Sequence, residues 1–245
     1  MKADPSLQHR LLDLQEADTR EAQIAHRLAT LPERAALDAI TADLTALDAE
    51  IARARADAEG IGQELAAAEG EVEAVRTRAA RNRARLDAGQ GSAKDLQALT
   101  QDLESLAQRQ HDLEEVELEV MERAEQADAG LAELEGARGP LVARQDGALA
   151  ATGTATAQLE DERSQVTARR AGIAAEIPAD LLALYEKIRA TSGSGAAALR
   201  QRRCEGCHLE LGASDLDRVA RAAEDDVLRC EECRRILVRV NESGL

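Results

Sequence analysis

One repeat sets the architecture of this chain, and it occupies residues 37–86, LDAITADLTALDAEIARARADAEGIGQELAAAEGEVEAVRTRAARNRARL. Apolar and small residues recur there at steps of three and four, which places them along one side of a helix. The stripe consists of Leu37, Ile40, Leu44, Leu47, Ile51, Ala54, Ala58, Ile61, Leu65, Ala68, Val72, Val75, Ala79, Asn82 and Leu86. A seven-residue repeat of this length drifts around a straight helix, so it predicts a left-handed coiled coil with a partner helix.

The partner helix follows in the same chain. Residues 87–92 contain two glycines that permit a chain reversal, and Ser92 with Asp95 predicts a capping box at the start of a second helix. The second stripe consists of Leu96, Leu99, Leu103, Leu106, Gln110, Leu113, Glu117, Val120, Ala124, Ala127, Leu131, Leu134, Arg138 and Leu141, and continues less regularly to Ile173. Apolar residues face each other when partner numbers add to 178, as for Leu47 and Leu131. We therefore expect an antiparallel hairpin within one chain, and the sequence leaves the oligomeric state open.

The composition agrees with long helices. The 245 residues include one tyrosine and no phenylalanine or tryptophan, whereas a large compact enzyme would fill its core with aromatic rings. Acidic residues outnumber basic ones by 47 to 31, which gives a net charge of −16. No secretory signal opens the chain, and no apolar run reaches the roughly 18 residues that cross a membrane. We expect a cytoplasmic protein without membrane contact.

Four cysteines form two C-x-x-C pairs, Cys204 with Cys207 and Cys230 with Cys233. Reduced thiols at this spacing predict a closed tetrahedral site for one structural Zn²⁺. Two alternatives remain open. Cys204 to His208 also matches a c-type haem attachment motif, but no export signal is apparent and the second pair would be left unexplained. A redox dithiol is the other alternative, but it needs a thioredoxin-like βαβ context that the sequence does not show. His208 as a substitute ligand is the weaker interpretation, because four sulfurs suffice.

The elements around the cysteines are also predicted. Ser214 and Asp217 resemble a capping pair for a short helix ending at Ala223, and residues 236–240 have the β-branched content of a strand. The expected fold class is mostly α, a long antiparallel coiled-coil helical hairpin followed by a small C-terminal zinc ribbon. The expected parts are a hairpin over residues 1–176, with its tip at about 87–92 and breaks near Pro32 and Pro140, a short helix and linker over 177–198, and a separate ribbon over 199–245.

The chain resembles the bacterial C4-type zinc ribbon proteins that carry an N-terminal coiled-coil hairpin. The matching segments are SAKDLQAL at residues 92–99, Ile177-Pro178 with the following Tyr185, and the two cysteine pairs followed by Arg235-Ile236-Leu237. The resemblance implies a zinc-binding and nucleic-acid-binding or regulatory adaptor, and some members are linked to an alternative sigma factor and to flagellar or secretion components. Arg234 stands where the family usually has glycine, which puts the geometry of that turn in question.

Two arginine groups are candidate contacts for a partner. The candidates are Arg76, Arg78, Arg81, Arg83 and Arg85 beside the tip, and Arg200, Arg202, Arg203, Arg234 and Arg235 around the cysteines. Such groups bind phosphate or acidic proteins, although most surface arginines are merely solvated. We find no P-loop, nucleophile elbow or zinc-protease motif, so we expect no enzyme. Two functions compete: a nucleic-acid-associated regulator, and a protein scaffold or chaperone that uses the coiled coil and needs zinc only for folding.

Overall fold

The computed structural model describes residues 1–245, with five helices and four short strands. The helices are α1 (Pro5–Ala29), α2 (Pro32–Asp87), α3 (Ala93–Glu176), α4 (Ala179–Ser192) and α5 (Ala213–Arg221), and the strands are β1 (Ala196–Arg200), β2 (Arg203–Cys204), β3 (Leu228–Arg229) and β4 (Ile236–Arg239). This confirms the predicted fold class. Two compact units result: a rod unit of residues 35–149, and a base unit of residues 1–34 with 150–245. None of the five helices has a segment apolar enough to span a lipid bilayer.

The rod unit is an antiparallel pair formed by α2 and α3. Every position of the first stripe is buried or half-buried, and the core includes Leu44, Ile51 and Val72 from α2 and Leu113 and Val120 from α3. Burial of these alternating positions explains why two helices so poor in aromatic residues stay paired.

The register of this pair differs from the prediction by about one heptad. Polar contacts between the two helices join residues whose numbers add to between 180 and 190, so the register centres near 185 instead of 178. The pairing of Leu47 with Leu131 is therefore wrong. A shift of seven residues keeps apolar residues opposite one another, so the stripe alone does not distinguish the two registers.

Polar groups inside the seam select the register. Asn82 lies in the stripe and is only 8% exposed, and its Nδ2 donates a hydrogen bond to Asp102 at 2.5 Å. The same carboxylate accepts a hydrogen bond from Arg78 at 2.9 Å. A buried asparagine satisfied in only one alignment penalises slippage of the helices.

The tip has the predicted turn. Ser92 N–H donates to the Asp95 carboxylate at 2.8 Å, and Asp95 N–H donates to Ser92 Oγ at 3.3 Å, which is the reciprocal capping box at the start of α3. Gly89 and Gly91 have φ values of +62° and +130°, conformations that side-chain-bearing residues rarely adopt.

The two prolines behave differently. Pro32 begins α2 directly after a break that follows Ala29, as predicted, because the first helical position needs no N–H donor. The break predicted near Pro140 is wrong, since α3 continues through it. Pro140 and Gly136 are both exposed, so water can hydrate the one carbonyl that loses its helical partner.

The base unit joins the ribbon to the helices in one core. Leu11 from α1, Ile173 from α3 and Leu181 from α4 pack in the same cluster as Ile236 and Val238 from β4. The sheet order is β2-β1-β4-β3, with β1 parallel to β4 and the other neighbours antiparallel. Strand β1 begins inside the predicted linker of residues 177–198, and the ribbon packs against the helices of the base unit.

A buried polar network holds this core together. Tyr185 Oη donates its one proton to the Asp18 carboxylate at 2.5 Å and also lies 3.1 Å from Gln15 Oε1. Asp18 is 3% exposed and also binds Arg170 at 2.6 Å and Arg189 at 3.1 Å. Burial, followed by the hydrogen bond to Asp18, raises the pKa of the Tyr185 phenol above its ordinary value. The network connects α1, α3 and α4.

The chain's start is also fixed to the ribbon. Ala3 N–H donates to Asp225 O at 2.8 Å, and Val227 N–H donates to Met1 O at 3.1 Å. Helix α5 begins after Gly212, which makes no side-chain capping bond, so the predicted capping pair of Ser214 and Asp217 is wrong.

Candidate metal centre

All four cysteines converge on one point of the ribbon. Their sulfur atoms lie within 4.8 Å of one another, with 3.8 Å between Cys204 and Cys233 and 3.9 Å between Cys207 and Cys230. A tetrahedral Zn²⁺ with Zn–S distances of about 2.3 Å requires sulfur separations of about 3.8 Å. The four cysteines therefore fit a zinc ion with no position left for water. Because both pairs share one cluster, the geometry favours a metal site over the haem and dithiol alternatives, each of which uses one pair alone.

Burial controls the ionisation of these thiols. Cys204 and Cys230 are buried, which raises the pKa of both thiols, although backbone N–H groups of their own turns partly offset the effect. Burial also tends to raise the pKa of the Cys233 thiol. Hydrogen bonds, including one from the Arg235 backbone, outweigh this effect and leave that pKa below its ordinary value. A metal must displace protons from the buried thiols, so binding is coupled to proton release.

The two cysteine turns, or knuckles, repeat one hydrogen-bond pattern. In the first knuckle, Cys204 N–H donates to Leu209 O at 3.0 Å, and His208 N–H donates to Cys204 O at 2.7 Å. In the second, Cys230 N–H donates to Arg235 O and Arg234 N–H donates to Cys230 O, both at 3.0 Å. The turns therefore present two sulfurs each in matching geometry.

Both knuckles place an L residue in the left-handed region. His208 has φ +63° and Arg234 has φ +64°. The position at which the family usually has glycine thus keeps the conformation that glycine favours, even though Arg234 occupies it. His208 is exposed and lies outside the four-sulfur cluster.

Several of the ribbon arginines predicted as partner contacts are engaged inside the protein. Arg235 donates to Gly206 O at 2.8 Å and to Ser192 O at 3.1 Å, and it also bonds Ser194. Its Cδ would lie 2.8 Å from a Cβ at position 206, so only glycine fits there. Arg235 thereby ties the two knuckles to the end of α4.

The remaining candidate arginines of the ribbon differ in whether their side chains are bonded to other groups of the protein. Arg203 binds His208 O, Arg234 lies 3.2 Å from Glu231, and Arg200 lies 4.0 Å from Glu242. The Arg202 side chain makes no ion pair. Sequence reasoning treated these arginines as one surface patch and missed their internal bonds. The signal for these bonds was the arginine directly before the first cysteine of each knuckle, at positions 203 and 229.

At the tip, the five predicted arginines divide into two sets. Arg76 pairs with Glu114 at 2.7 Å and Arg78 pairs with Asp102 at 2.9 Å. The other three, Arg81, Arg83 and Arg85, are exposed and make no direct ion pair, although Arg85, after the hydrogen bonds from Ser92, lies near enough to Asp95 to help lower the pKa of that carboxyl. The tip therefore keeps three guanidinium groups without a direct ion pair on a strongly acidic protein.

Comparison with known proteins agrees with this architecture. The sequence matches the CT398-like coiled coil hairpin domain over residues 14–193 and the C4-type zinc ribbon domain over residues 203–237. An uncharacterized protein of Mycobacterium tuberculosis is 38% identical over 244 residues, covering 98% of each chain, and one of Mycobacterium leprae is 27% identical over 219 residues, covering 88% of this chain and 93% of the relative.

Solved structures show the same fold. A protein from Mycobacterium smegmatis aligns with a TM-score of 0.87 at 37% identity, covering 98% of this chain and all of that one. CT398 from Chlamydia trachomatis aligns with a TM-score of 0.68 at 16% identity, covering 96% and 98% of the two chains. With the hairpin, the four-cysteine centre and these matches established, the chain belongs to the family of CT398-like coiled-coil hairpin proteins with a C4-type zinc ribbon.

Proposed function

We propose that this protein is a non-catalytic, cytoplasmic adaptor that contacts nucleic acid through the tip of its hairpin and uses zinc to fold its ribbon. The three unpaired arginines of the tip, Arg81, Arg83 and Arg85, carry this proposal. Elsewhere on the rod, arginines such as Arg55 and Arg123 are neutralised by carboxylates of the facing helix.

Phosphate is the ligand class that suits the free arginines. A guanidinium group presents a planar fork of donors that matches phosphate oxygens, and unpaired groups need not first break an ion pair. The net charge of −16 repels a phosphate backbone from most of the surface, which confines contact to local cationic sites.

The ribbon offers a second, smaller cationic site. Gln201 and Arg202 form the two-residue turn between β1 and β2 with φ values of +47° and +65°. Their N–H groups donate to Glu242 O at 2.6 Å and Ser243 O at 2.8 Å, which fixes the turn against the C-terminal residues. Arg202 therefore projects from a restrained backbone and is the ribbon arginine best placed to support a phosphate contact.

A salt titration tests the nucleic-acid proposal. Binding of single-stranded RNA and duplex DNA is measured by fluorescence anisotropy between low and moderate salt for the wild type and for Arg81→Gln/Arg83→Gln/Arg85→Gln. Loss of three phosphate contacts should reduce the slope of log K against log salt by about 2 to 3. The matched control replaces three exposed, unpaired arginines away from the tip: Arg53, Arg144 and Arg163. Equal slopes for the tip and control variants would contradict the proposal.

A second candidate function is a protein scaffold or chaperone. Three large apolar side chains are exposed within six residues of α3, Val116 at 49%, Leu118 at 59% and Met121 at 38%, and the last two, three positions apart, share one face of the helix. Exposed apolar groups of this kind favour protein contact. This function predicts that Leu118→Gln/Met121→Gln, and not the tip variant, lowers the protein's ability to prevent aggregation of a heat-denatured test protein. No effect of the apolar variant would exclude this candidate.

A further inference from the structure

Each knuckle carries one interaction that four-sulfur binding alone does not require. Arg203, directly before the first cysteine, donates from Nε and Nη2 to His208 O at 3.0 and 2.9 Å. Arg229, in the equivalent place of the second knuckle, donates from Nε to Arg234 O at 2.9 Å. In both cases the acceptor belongs to the residue directly after the second cysteine.

These acceptor residues are the two that adopt left-handed backbone in the knuckles, with φ +63° at His208 and φ +64° at Arg234. An L side chain destabilises this conformation, whereas glycine adopts it freely. The turn nevertheless has to form, because it places both sulfurs of each pair toward the shared centre. A bond that holds the carbonyl of the left-handed residue offsets the conformational cost where it arises.

We propose that Arg203 and Arg229 are a matched pair of positioning residues, each of which closes its own knuckle around zinc by holding the carbonyl of a left-handed, non-glycine residue. Arg229 compensates for Arg234, and Arg203 compensates for His208. The proposal concerns the metal centre and is independent of the nucleic-acid function proposed above.

Simple charge compensation is the competing explanation. Zn²⁺ with four thiolates carries a net charge of −2, so any nearby cation stabilises it. The contacts favour positioning instead, because the guanidinium groups of Arg203 and Arg229 bond carbonyl oxygens and neither bonds a sulfur. The two explanations make opposite predictions when glycine replaces the left-handed residue.

The test measures the rate of zinc transfer from the full-length holoprotein to a chelating dye. Arg229→Gln and Arg203→Gln should each release zinc up to about tenfold faster than the wild type, which is the upper end of the effect of losing an exposed hydrogen-bonded contact to a carbonyl. The matched control is Arg221→Gln, which removes an exposed arginine of α5 that pairs only with Asp217. The control should stay within about twofold of the wild type, because its ion pair joins two residues of α5 and touches neither knuckle.

Glycine rescue distinguishes positioning from charge. Arg229→Gln/Arg234→Gly should release zinc at a rate within about threefold of the wild type, because glycine adopts left-handed backbone without steric strain. Charge compensation predicts the reverse, since the double variant loses a second positive charge. The visible spectrum of the Co²⁺-substituted protein gives an independent readout: tetrahedral thiolate bands weaken in Arg229→Gln and return in the double variant.

Two results would overturn the proposal. One is that Arg229→Gln releases zinc at the wild-type rate. The other is that the double variant releases zinc faster than Arg229→Gln. If Arg229→Gln does not fold its ribbon, Arg234→Gly alone decides. Positioning predicts that this variant retains zinc at least as long as the wild type, and charge compensation predicts faster loss.

Discussion

The hydroxyl of Tyr185 should stabilise the base unit by an amount that can be measured. Tyr185→Phe removes the hydrogen bond to Asp18 at 2.5 Å but keeps the ring, which is fully buried. No cavity forms, so the loss of stability comes from the buried Asp18 carboxylate, which loses one hydrogen-bond donor. This carboxylate keeps its ion pairs with Arg170 and Arg189. Hydrogen bonds to charged groups contribute about 1.5–3 kcal/mol, which is the expected loss in free energy of unfolding.

Urea unfolding followed through zinc release reports on this unit, because the ribbon shares its core. With an m value of about 2 kcal/mol/M, the midpoint should fall by about 1 M. The control Thr45→Val removes an exposed hydroxyl that bonds only within α2, and its midpoint should barely move. A Tyr185→Phe midpoint equal to that of the control would refute the buried network as a source of stability.

The raised pKa of Tyr185 adds a pH dependence with a defined sign. A group whose pKa is raised on folding contributes its full stability below its unfolded value, here 10.0, and loses it as pH rises further. The free energy of unfolding of the wild-type base unit should therefore fall above about pH 10. The difference in this free energy between the wild type and Tyr185→Phe should shrink in the same range. A difference that stays constant from neutral pH to pH 11 would contradict the assignment.

Three further predictions concern the register, the knuckle and the metal. Cysteines at Ile51 and Leu134 should crosslink within one chain faster than cysteines at Leu47 and Leu131, and the reverse order would restore the register in which partner numbers add to 178. Gly206→Ala should speed zinc release, because the added methyl would lie 2.8 Å from a carbon of the arginine that crosses it, and an unchanged release rate would show that the arginine moves freely. Zinc removal should unfold the ribbon and loosen the base core while circular dichroism keeps most of its helical signal, since the rod has its own core; a collapse of that signal would show that the rod depends on the base.

Much of the fold is readable from the sequence because its signals are local or strictly periodic. The stripes, the glycine turn with its capping box and the two C-x-x-C pairs each specify one structure by spacing alone. The register is different, since a heptad repeat is degenerate under shifts of seven residues. Asn82 and Arg138 are stripe positions with polar partners that resolve this, but the partners Asp102 and Asp48 lie outside the predicted stripes.

The sequence did not predict the packing of the ribbon against the base helices or the bonds of the knuckle arginines, for a different reason. The packing of β4 against α1 and α4 depends on contacts between residues about 50 to 230 positions apart, which no local pattern encodes. An arginine near cysteines looks the same in sequence whether it faces solvent or bonds a carbonyl. Only the repeated order of arginine and cysteine in both knuckles distinguished Arg203 and Arg229 from surface cations.

We expect the four cysteines to hold one zinc ion in a closed structural site. Zinc K-edge absorption of the purified protein, combined with metal analysis, tests it most directly. We expect one zinc per chain with four sulfur neighbours at about 2.3 Å and no nitrogen or oxygen ligand. Less than one equivalent of zinc in protein with intact thiols, or a first shell containing nitrogen or oxygen, would contradict it.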